Sequence, residues 1–482
     1  MTIKIIRTFW AVLLANVFAI AATSCGDDFL DKNPKLAVTE DDLLSSEELI
    51  DATMLGVYTC FKSGSFAGGG IAVIFDNRGD DYVNMGSNTY YHADTYNMTV
   101  GQNSPMNPGF FQAGYLAINA ANTLKEALES HDDLPISDEK RQRYIANCLF
   151  IRDISWYYLA QVYSQPYAYS PDAKAIPIHT EAVVGPGHNE APLWTIGQIY
   201  NQIIADLSTS TIAALPDRSS ADFDATVPSQ PAAHMLLQRI YMAMGQWDDA
   251  IAEGEKVTGF KLGASVRDLF DAPYYNDENI YSMPFTDSER GSGNPAFYVA
   301  SAAGYIDTIN MRTGILTYPE YHLATDTRTQ FIKVDPASGR ETWYEKYDEN
   351  NVRLEWVHIF RYAETLLNLA ESYYNIGQET KAADLLYQVR VRSIPTGDVV
   401  DVRTLTGDAL KNYIYNERRA EFMGEGIRGL DIARRAENFV HPAATRTDGK
   451  WDTVIVATPD DKASYCWALP AFEVLVNTSA AE

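Results

Sequence analysis

The sequence between Phe360 and Arg392 reads FRYAETLLNLAESYYNIGQETKAADLLYQVRVR, and its pattern is that of a helical hairpin. Within residues 361–376 the apolar side chains recur at helical spacing and form one wide face that must be buried. Gly377 is placed to end this helix, because a residue without Cβ adopts the left-handed conformation that helix ends often need. Residues 379–392 then restart the apolar pattern, so the stretch predicts two antiparallel helices.

A second copy of this pattern lies earlier in the chain, at residues 232–257. Aligning Gly245 with Gly377 places the copies 377 − 245 = 132 residues apart. The alignment also pairs the aromatic residue before each glycine and the small residue after it: Tyr241 with Tyr373, and Ala250 with Ala382. This spacing is typical of tetratricopeptide repeats, in which the small residue lets the two helices approach closely.

The predicted fold class is mainly all-α, with tetratricopeptide-like hairpins near residues 232–257 and 361–392 stacked into a single large domain. Long irregular, tyrosine-rich loops and minor β structure are expected around them. Further helices are predicted at residues 45–62, 110–130, 138–163 and 194–207, the third so densely apolar that it should be central. The domain is expected to span residues 25–482, with an N-terminal part at residues 25–220 and a C-terminal signature region at residues 408–477.

The composition is that of a globular protein, with 46% hydrophobic and 12% aromatic residues in a chain of 482. The formal net charge of −26 argues against nucleic acid as a partner, because its phosphates would be repelled. Thirty tyrosines supply rings that can pack on one edge and hydrogen-bond at the other. Neutral partners therefore fit this chain better than polyanions do.

The first 24 residues are interpreted as a lipoprotein signal peptide. Lys4 and Arg7 precede an apolar run at residues 9–22, which is short for a membrane-spanning helix. The following Ala22-Thr23-Ser24-Cys25 resembles a bacterial lipobox, in which Cys25 would receive the lipid and anchor the protein. An ordinary secretory signal is the alternative.

Three further cysteines, Cys60, Cys148 and Cys466, have neither CxxC nor zinc-ligand spacing. A bridge between Cys60 and Cys466 is compatible with the sequence but cannot be inferred from it. The three are expected to behave as small, buried hydrophobic residues.

Residues 64–110 form the first candidate binding loop, because they combine aromatic rings with Asp, Asn and Arg and lack a clear period. Rings can cover the apolar face of a sugar, and the polar groups can bond its vicinal hydroxyls. The candidate ligand-binding residues here are Asp76, Asn77, Arg78, Asp80, Asp81, Tyr82, Tyr90, Tyr91 and Tyr96. The alternative is a surface loop whose Asp and Asn residues cap helices and turns.

A structural calcium ion at residues 76–81 is conceivable, although the spacing is not that of an EF-hand; no other metal or cofactor is expected.

The insertion at residues 259–355 is the second candidate surface, since it loses helical period and is rich in Tyr, Gly, Asn and Ser. Its candidate ligand-binding residues are Tyr274, Tyr275, Tyr281 and Tyr298. Packing of these rings onto the helical stack is the alternative.

Alternating charges near residues 417–428 would suit catalysis but are better explained as buried arginine–carboxylate pairs that hold helices together. Catalytic motifs such as HExxH, GxSxG and the P-loop do not occur in the sequence. Acid pairs such as Asp76 with Asp80, or Glu320 with Asp326, could lie at the separation found in glycosidases, but the sequence does not show this.

Several motifs along the chain resemble the SusD/RagB family of outer-membrane nutrient-binding lipoproteins. The N-terminal match is Cys25 followed by Gly-Asp-Asp-Phe-Leu-Asp, and the C-terminal match is Leu469-Pro470-x-x-Glu473-x-x-x-Asn477. Between them lie the residues that match the family's helical signatures: Arg152, Arg361, Glu364, Glu417, Arg418, Glu421, Arg428 and Asp431. The spacing of the loop after Tyr163 departs from the family pattern, which puts the length of that loop in doubt.

The resemblance implies a non-catalytic lipoprotein, exposed on the outer membrane, that binds an oligosaccharide. Its partner would be a SusC-like, TonB-dependent outer-membrane transporter, to which it delivers the ligand. An oligopeptide-binding, RagB-like lipoprotein is the main alternative. A glycoside hydrolase and a purely protein-binding scaffold are the remaining ones.

Overall fold

The computed structural model describes residues 40–84, 89–185, 190–291, 308–347, 353–394, 400–447 and 450–480. The α-helices are α1 (Glu40–Leu43), α2 (Glu47–Phe61), α3 (Gly70–Arg78), α4 (Ala93–Tyr96), α5 (Met106–Ser130), α6 (Asp138–Tyr163), α7 (Ile196–Asp206), α8 (Thr209–Ala213), α9 (Gln230–Met244), α10 (Trp247–Gly254), α11 (Tyr362–Asn375), α12 (Glu379–Ser393), α13 (Gly407–Phe422), α14 (Ile427–Arg434), α15 (Lys462–Tyr465) and α16 (Ala471–Val476). The predicted class, mainly helical with minor β structure, is confirmed.

The strands pair as five antiparallel two-stranded sheets over the described residues. They are β1 (Tyr82–Val83) with β5 (Thr308–Ile309), β2 (Lys174–Pro177) with β3 (Leu193–Thr195), β4 (Asn279–Met283) with β8 (Val357–Arg361), β6 (Ile332–Asp335) with β7 (Arg340–Tyr344), and β9 (Phe439–Thr447) with β10 (Lys450–Ala457). Three short 3₁₀ helices lie within residues 315–331. Where it is described, the insertion at residues 259–355 thus consists of short strands, turns and 3₁₀ helices, with one hairpin, β6–β7.

The two predicted hairpins have matching turns. Gly245 and Gly377 both adopt left-handed backbone conformations, with φ of 70° and 79°. In each turn the residue after the glycine donates its amide to the carbonyl of the aromatic residue four positions before the glycine, at 2.8 Å: Gln246 to Tyr241, and Gln378 to Tyr373. The small residues Ala250 and Ala382 are fully buried between the helices. The sequence repeat is therefore a structural repeat.

The hairpins stack, with α10 packed against α11, and a buried ion pair links α9 to α11. Arg239 donates from Nε and Nη2 to both carboxylate oxygens of Glu364, at 2.6 and 2.7 Å. Its Nη1 donates to the hydroxyl of Tyr158 on α6, at 2.8 Å. One guanidinium group thus joins both hairpins to the central helix, whose C-terminal half is buried on all sides.

The helix α3 was not predicted, because residues 70–78 were assigned to a loop. Its residues are buried on every side, and such a helix has no amphipathic period to detect. The helix α14 lies directly against it, so closely that a Cβ on Gly429 would lie 2.2 Å from the carbonyl oxygen of Phe75. Glycine at position 429 is what allows this approach.

The arginines and carboxylates of the signature motifs pair with one another in the interior. Arg361 donates to Glu421 at 2.6 Å, to Glu278 at 2.7 Å and to Glu425 at 2.7 Å. The other pairs are Arg152 with Asp206, Glu417 with Arg328 and Arg390, and Arg418 with Asp431. Burial would raise the pKa of Glu421, but Arg392, Arg361 and Arg328 hold that pKa far below its usual range. The charged side chains of the signature motifs therefore form buried ion pairs that hold different elements together.

The cysteines Cys60, Cys148 and Cys466 are free, and the last two are buried. Burial raises the pKa of the Cys466 thiol to about 11. The hypothetical Cys60–Cys466 bridge is absent from the structure. Cys25 lies outside the described residues.

Within the described ranges, no helix has both the length and the hydropathy that a bilayer crossing requires.

Removing one partner of the Arg239–Glu364 pair should cost more than removing both. Arg239→Met leaves a buried carboxylate without its cation, and we expect the free energy of unfolding to fall by about 3–5 kcal/mol. The double variant with Glu364→Met should lose clearly less than the sum of the two single variants. Chemical denaturation of the four proteins measures this, and additive losses would contradict a direct coupling.

A methyl group at position 429 should separate α14 from α3. We expect Gly429→Ala to lower the free energy of unfolding by about 1–3 kcal/mol, because its Cβ meets backbone rather than a movable side chain. The matched control is Gly56→Ala on α2, where a Cβ has no neighbour within 4 Å. That change should raise stability by about 0.5–1 kcal/mol. Equal thermal midpoints for both variants would argue against the close approach.

Mild acid should destabilise the protein through its buried histidines. Burial lowers the pKa of His92, His358 and His441 from 6.5 to about 4 in each case. Between these pH values the unfolded chain binds protons that the folded chain does not, so stability falls as the pH falls from 6.5 to 4. Each histidine should contribute about 2 kcal/mol of this loss between pH 7 and pH 4.5. His358→Gln should therefore show a smaller loss than the parent, as measured by denaturant titration at both pH values; an unchanged loss would refute the assignment.

Candidate functional site

Segments from both predicted binding regions meet at one place in the structure. β1 pairs with β5, so that Tyr82 lies opposite Ile309. The side chain of Asn310 donates from Nδ2 to the carbonyl of Asp80 at 2.6 Å. The amide of Ile315 donates to Oδ1 of Asp81 at 2.7 Å. The first candidate loop therefore forms the support for the segment that follows β5.

The two aspartates of this support are held by arginines from the signature region. Arg428 donates to both carboxylate oxygens of Asp80, at 2.6 and 3.0 Å. Arg419 contacts Asp81 in the same two-pronged way, at 2.7 and 3.1 Å. Burial would raise the pKa of Asp80, but Arg419 and Arg428 hold it well below its usual range. Asp80 is thus ionised and locked in place.

Arg78 is entirely buried beneath the same surface. It donates to the carbonyls of Gln161 and Tyr465, at 3.1 and 2.6 Å, and its guanidinium group lies 4.8 Å from the centre of the Phe439 ring. Its position shows that it connects α3 to α6 and to the C-terminal region. A ligand at the surface cannot reach it in this conformation.

Most residues of the first candidate set are likewise buried in this structure. Those that are buried are Asp76, Asn77, Arg78, Asp80, Asp81, Tyr82 and Tyr96. Their burial follows from the unpredicted helix α3 and from the ion pairs to Arg419 and Arg428. Tyr90, by contrast, is 66% exposed. The side chain of Tyr91 lies outside the described set.

The hairpin β9–β10 forms one wall of the site. The ring of Tyr96 stacks on that of His441, with centroids 3.9 Å apart and planes 6° from parallel. Trp451 is half-buried on β10, opposite Arg446 in the strand register. The guanidinium group of Arg312 lies 4.4 Å from the centre of the Trp451 ring, and that of Arg446 lies 5.1 Å from it.

We use the name aromatic rim for the accessible side chains of the segment after β5 and of the hairpin β9–β10: Met311, Arg312, Tyr318, Arg446 and Trp451. Arg312 contacts Trp451 directly, and Tyr318 lies near Arg419. The rim combines rings with guanidinium donors above a support fixed by buried ion pairs. Chemically it can stack on a flat apolar surface and hydrogen-bond to hydroxyl or carbonyl groups.

Sequence reasoning missed most of the rim. Trp451 and Arg446 lie on a hairpin whose signal was available, since an Asp-Gly dipeptide at residues 448–449 is flanked by β-branched residues. The contact between Arg312 and Trp451 joins residues 139 positions apart (451 − 312 = 139). Nothing in the local pattern around either residue indicates it.

The second candidate set is divided by the structure. Tyr281 is buried in the core on β4, where its ring stacks against that of Phe61 at 6.2 Å. Tyr274 is half-buried, and Tyr275 is exposed beside Trp356. Tyr298 lies outside the described residues. For Tyr281 the alternative of core packing is the correct one.

Side chains that were considered as metal ligands are hydrogen-bonded to arginines. Among the described residues, no group of three His, Cys, Asp or Glu side chains is arranged to bind one. At residues 76–81, where calcium was considered, Asp80 and Asp81 accept hydrogen bonds from arginines instead. Asp326, from the second acid pair considered for hydrolysis, is likewise held by Arg328 at 2.9 Å.

Comparison with known proteins assigns the chain to a family. Residues 28–242 match a SusD-like family described as starch-binding and associating with the outer membrane. Residues 301–464 match the SusD family. A SusD-like protein of Formosa agariphila is 31% identical over 131 residues, which is 26% of this chain and 25% of that protein. A second SusD-like protein of that bacterium is 20% identical over 485 residues, covering 88% and 89% of the two chains.

Solved structures extend the match over almost the whole fold. A SusD superfamily protein from Bacteroides thetaiotaomicron is 19% identical, with a TM-score of 0.77 over 90% of this chain and 98% of that one. Surface glycan-binding protein A from Bacteroides uniformis is 19% identical, with a TM-score of 0.64 over 89% and 95%. At these identities the likeness shows the fold alone.

One solved structure is also close in sequence. A SusD superfamily protein from Bacteroides fragilis is 38% identical and has a TM-score of 0.83, with 91% of this chain and 99% of that chain aligned. The paired hairpins, the buried arginine–carboxylate signatures and this near-complete alignment agree with one another. The chain belongs to the SusD family, whose members are carbohydrate-binding proteins associated with the outer membrane.

Proposed function

We propose that this protein binds an oligosaccharide at the aromatic rim and does not cleave it. The observation that carries the proposal is the contact of the Trp451 ring with the guanidinium groups of Arg312 and Arg446. Tyr318, on the same segment as Arg312, adds an exposed ring. Flat rings cover the apolar face of a pyranose, while guanidinium groups donate to its hydroxyls. Each ring would contribute about 1 kcal/mol beyond its buried area, which gives weak and reversible binding.

The rigid support beneath the rim favours binding over catalysis. Asp80 and Asp326, which were considered as hydrolytic acids, are each paired with an arginine. A glycosidase needs a carboxyl group with a raised pKa to protonate the leaving oxygen, and that of Asp80 is lowered. The engagement of these acids supports the role of a binding protein.

The same proposal includes delivery of the ligand to a SusC-like, TonB-dependent outer-membrane transporter. A lipid on Cys25 would hold the protein at the cell surface, and the transporter would receive the ligand there. The resemblance of the motifs from Cys25 to Asn477 to those of SusD/RagB lipoproteins supports this arrangement. Weak binding at an exposed rim suits transfer to a second protein.

Calorimetry with a panel of neutral polysaccharides that includes starch tests the proposal. We expect saturable heat with at least one glycan, and Tyr318→Ala and Trp451→Ala should each weaken its affinity about fivefold, because each variant removes one ring. The control is Tyr169→Ala, which removes an exposed ring outside the rim and should leave the affinity unchanged.

Other results would redirect the assignment. If every glycan gave no heat while oligopeptides bound, the RagB-like alternative would replace this one. Loss of binding in Tyr275→Ala but not in the rim variants would move the site to the start of the insertion. Turnover of a labelled oligosaccharide would make the protein an enzyme.

A further inference from the structure

A pocket of about 560 Å³ lies between α5 and α16, at the C-terminal motif that the proposed function leaves unused. Phe111, Tyr115, His179, Phe472 and Glu473 contribute to its lining. We call it the Glu473 pocket. It has no residue in common with the aromatic rim, so the inference drawn from it is independent of the proposed function.

Aromatic rings form the walls of this pocket. Phe111 and Tyr115 stack with centroids 4.4 Å apart, and Phe472 meets Phe111 edge-on at 5.9 Å. Tyr115 is fixed by a hydrogen bond of 2.5 Å from its hydroxyl to the carbonyl of Pro177. The edge of His179 faces Tyr115 at 6.1 Å. The walls are therefore ordered before any ligand arrives.

Glu473 is an acid without a cation among the described residues. Its Oε1 accepts a hydrogen bond of 2.9 Å from Nδ2 of Asn477, and no described Lys, Arg or His lies within ion-pair distance. Burial raises the pKa of the Glu473 carboxyl, and burial lowers the pKa of His179, which disfavours a positive charge there. This differs from the signature carboxylates, which all have arginine partners.

The surroundings of the pocket are acidic and apolar. Glu126 and Glu190 lie close by, since Glu126 accepts from the amide of Ala182 and Glu190 from the hydroxyl of Thr478. Lys125 is paired with Glu129 on the same helix. Two apolar side chains of its lining, Leu116 and Val476, are exposed, at 62% and 51%.

We propose that the Glu473 pocket and its apolar border are an interface for a protein partner, which inserts a lysine or arginine side chain so that its charge meets Glu473. Ring faces attract a cation, and the attraction grows when water is excluded. A small amine would satisfy Glu473 but would leave Leu116 and Val476 in water. A protein covers both, and exposed apolar patches with a central anchor are typical of interfaces.

Two matched peptides test this interface on the whole protein. The first is a fluorescein-labelled Gly-Leu-Lys-Leu-Gly amide, and the second carries norleucine, which keeps the stem of lysine and lacks its charge. Fluorescence anisotropy should show saturable binding of the lysine peptide by millimolar concentration. The norleucine peptide should bind about tenfold more weakly or worse.

Peptide binding measured on variants distinguishes the loss of the Glu473 charge from a loss of folded structure. Glu473→Gln keeps the shape and the contact with Asn477, and it should bind the lysine peptide about tenfold more weakly, with an unchanged thermal midpoint. The control is Glu139→Gln at the exposed start of α6, which should bind like the parent. Val476→Ser should weaken both peptides.

Three results would overturn the proposal. They are equal affinity for the two peptides, unchanged affinity in Glu473→Gln, and absence of binding at millimolar concentration. Butylamine binding as tightly as the lysine peptide would also overturn it, since it would assign the pocket to a small cation. Glycan binding measured on the Glu473→Gln protein reports on the aromatic rim alone, so failure of one proposal leaves the other in place.

Discussion

The structure depends on arginines that are paired with carboxylates in the interior. Arg361 is the clearest case, because it stands where β8 leads into α11 and contacts Glu278, Glu421 and Glu425. A carboxylate partner stabilises a charge that is removed from water. The partners come from two distant parts of the chain, residue 278 and residues 421–425, so the fold requires these parts to meet at Arg361. Arg239 likewise joins the two hairpins to α6 through its contacts with Glu364 and Tyr158.

The same device positions the candidate site. Arg419 lies on α13 and Arg428 on α14, and they bind Asp81 and Asp80 at the end of the segment that carries α3. The signature region thus fixes the N-terminal part from below, while the insertion and the hairpin β9–β10 supply the accessible side chains above. The frame is helical and rigid, and the recognition elements are short strands and turns.

The sequence predicted the elements that have an amphipathic period. Residues 361–392 and 232–257 were assigned as hairpins because one face of each helix is polar, and the matching turns at Gly245 and Gly377 confirm the repeat. The helix α3 was not predicted because none of its faces is exposed to solvent, so its sequence has no amphipathic period. Asp80 and Asp81, which follow this helix, are paired with arginines, and sequence alone does not distinguish an aspartate that meets an arginine from one that meets a sugar hydroxyl. Trp451 was not predicted as a site residue because its contact with Arg312 joins distant segments of the chain.

The internal pairing of the arginines has a further consequence for the electric field around the molecule. An interior pair is neutral as a unit, so the excess of 64 acids over 38 bases comes from residues outside these pairs. Long-range repulsion should therefore slow the approach of sulfated or uronate-bearing chains at low ionic strength, and added salt should relieve it within a screening length of about 10 Å. The arrangement that holds the core together thereby also sets a preference for uncharged polymers before any contact is made.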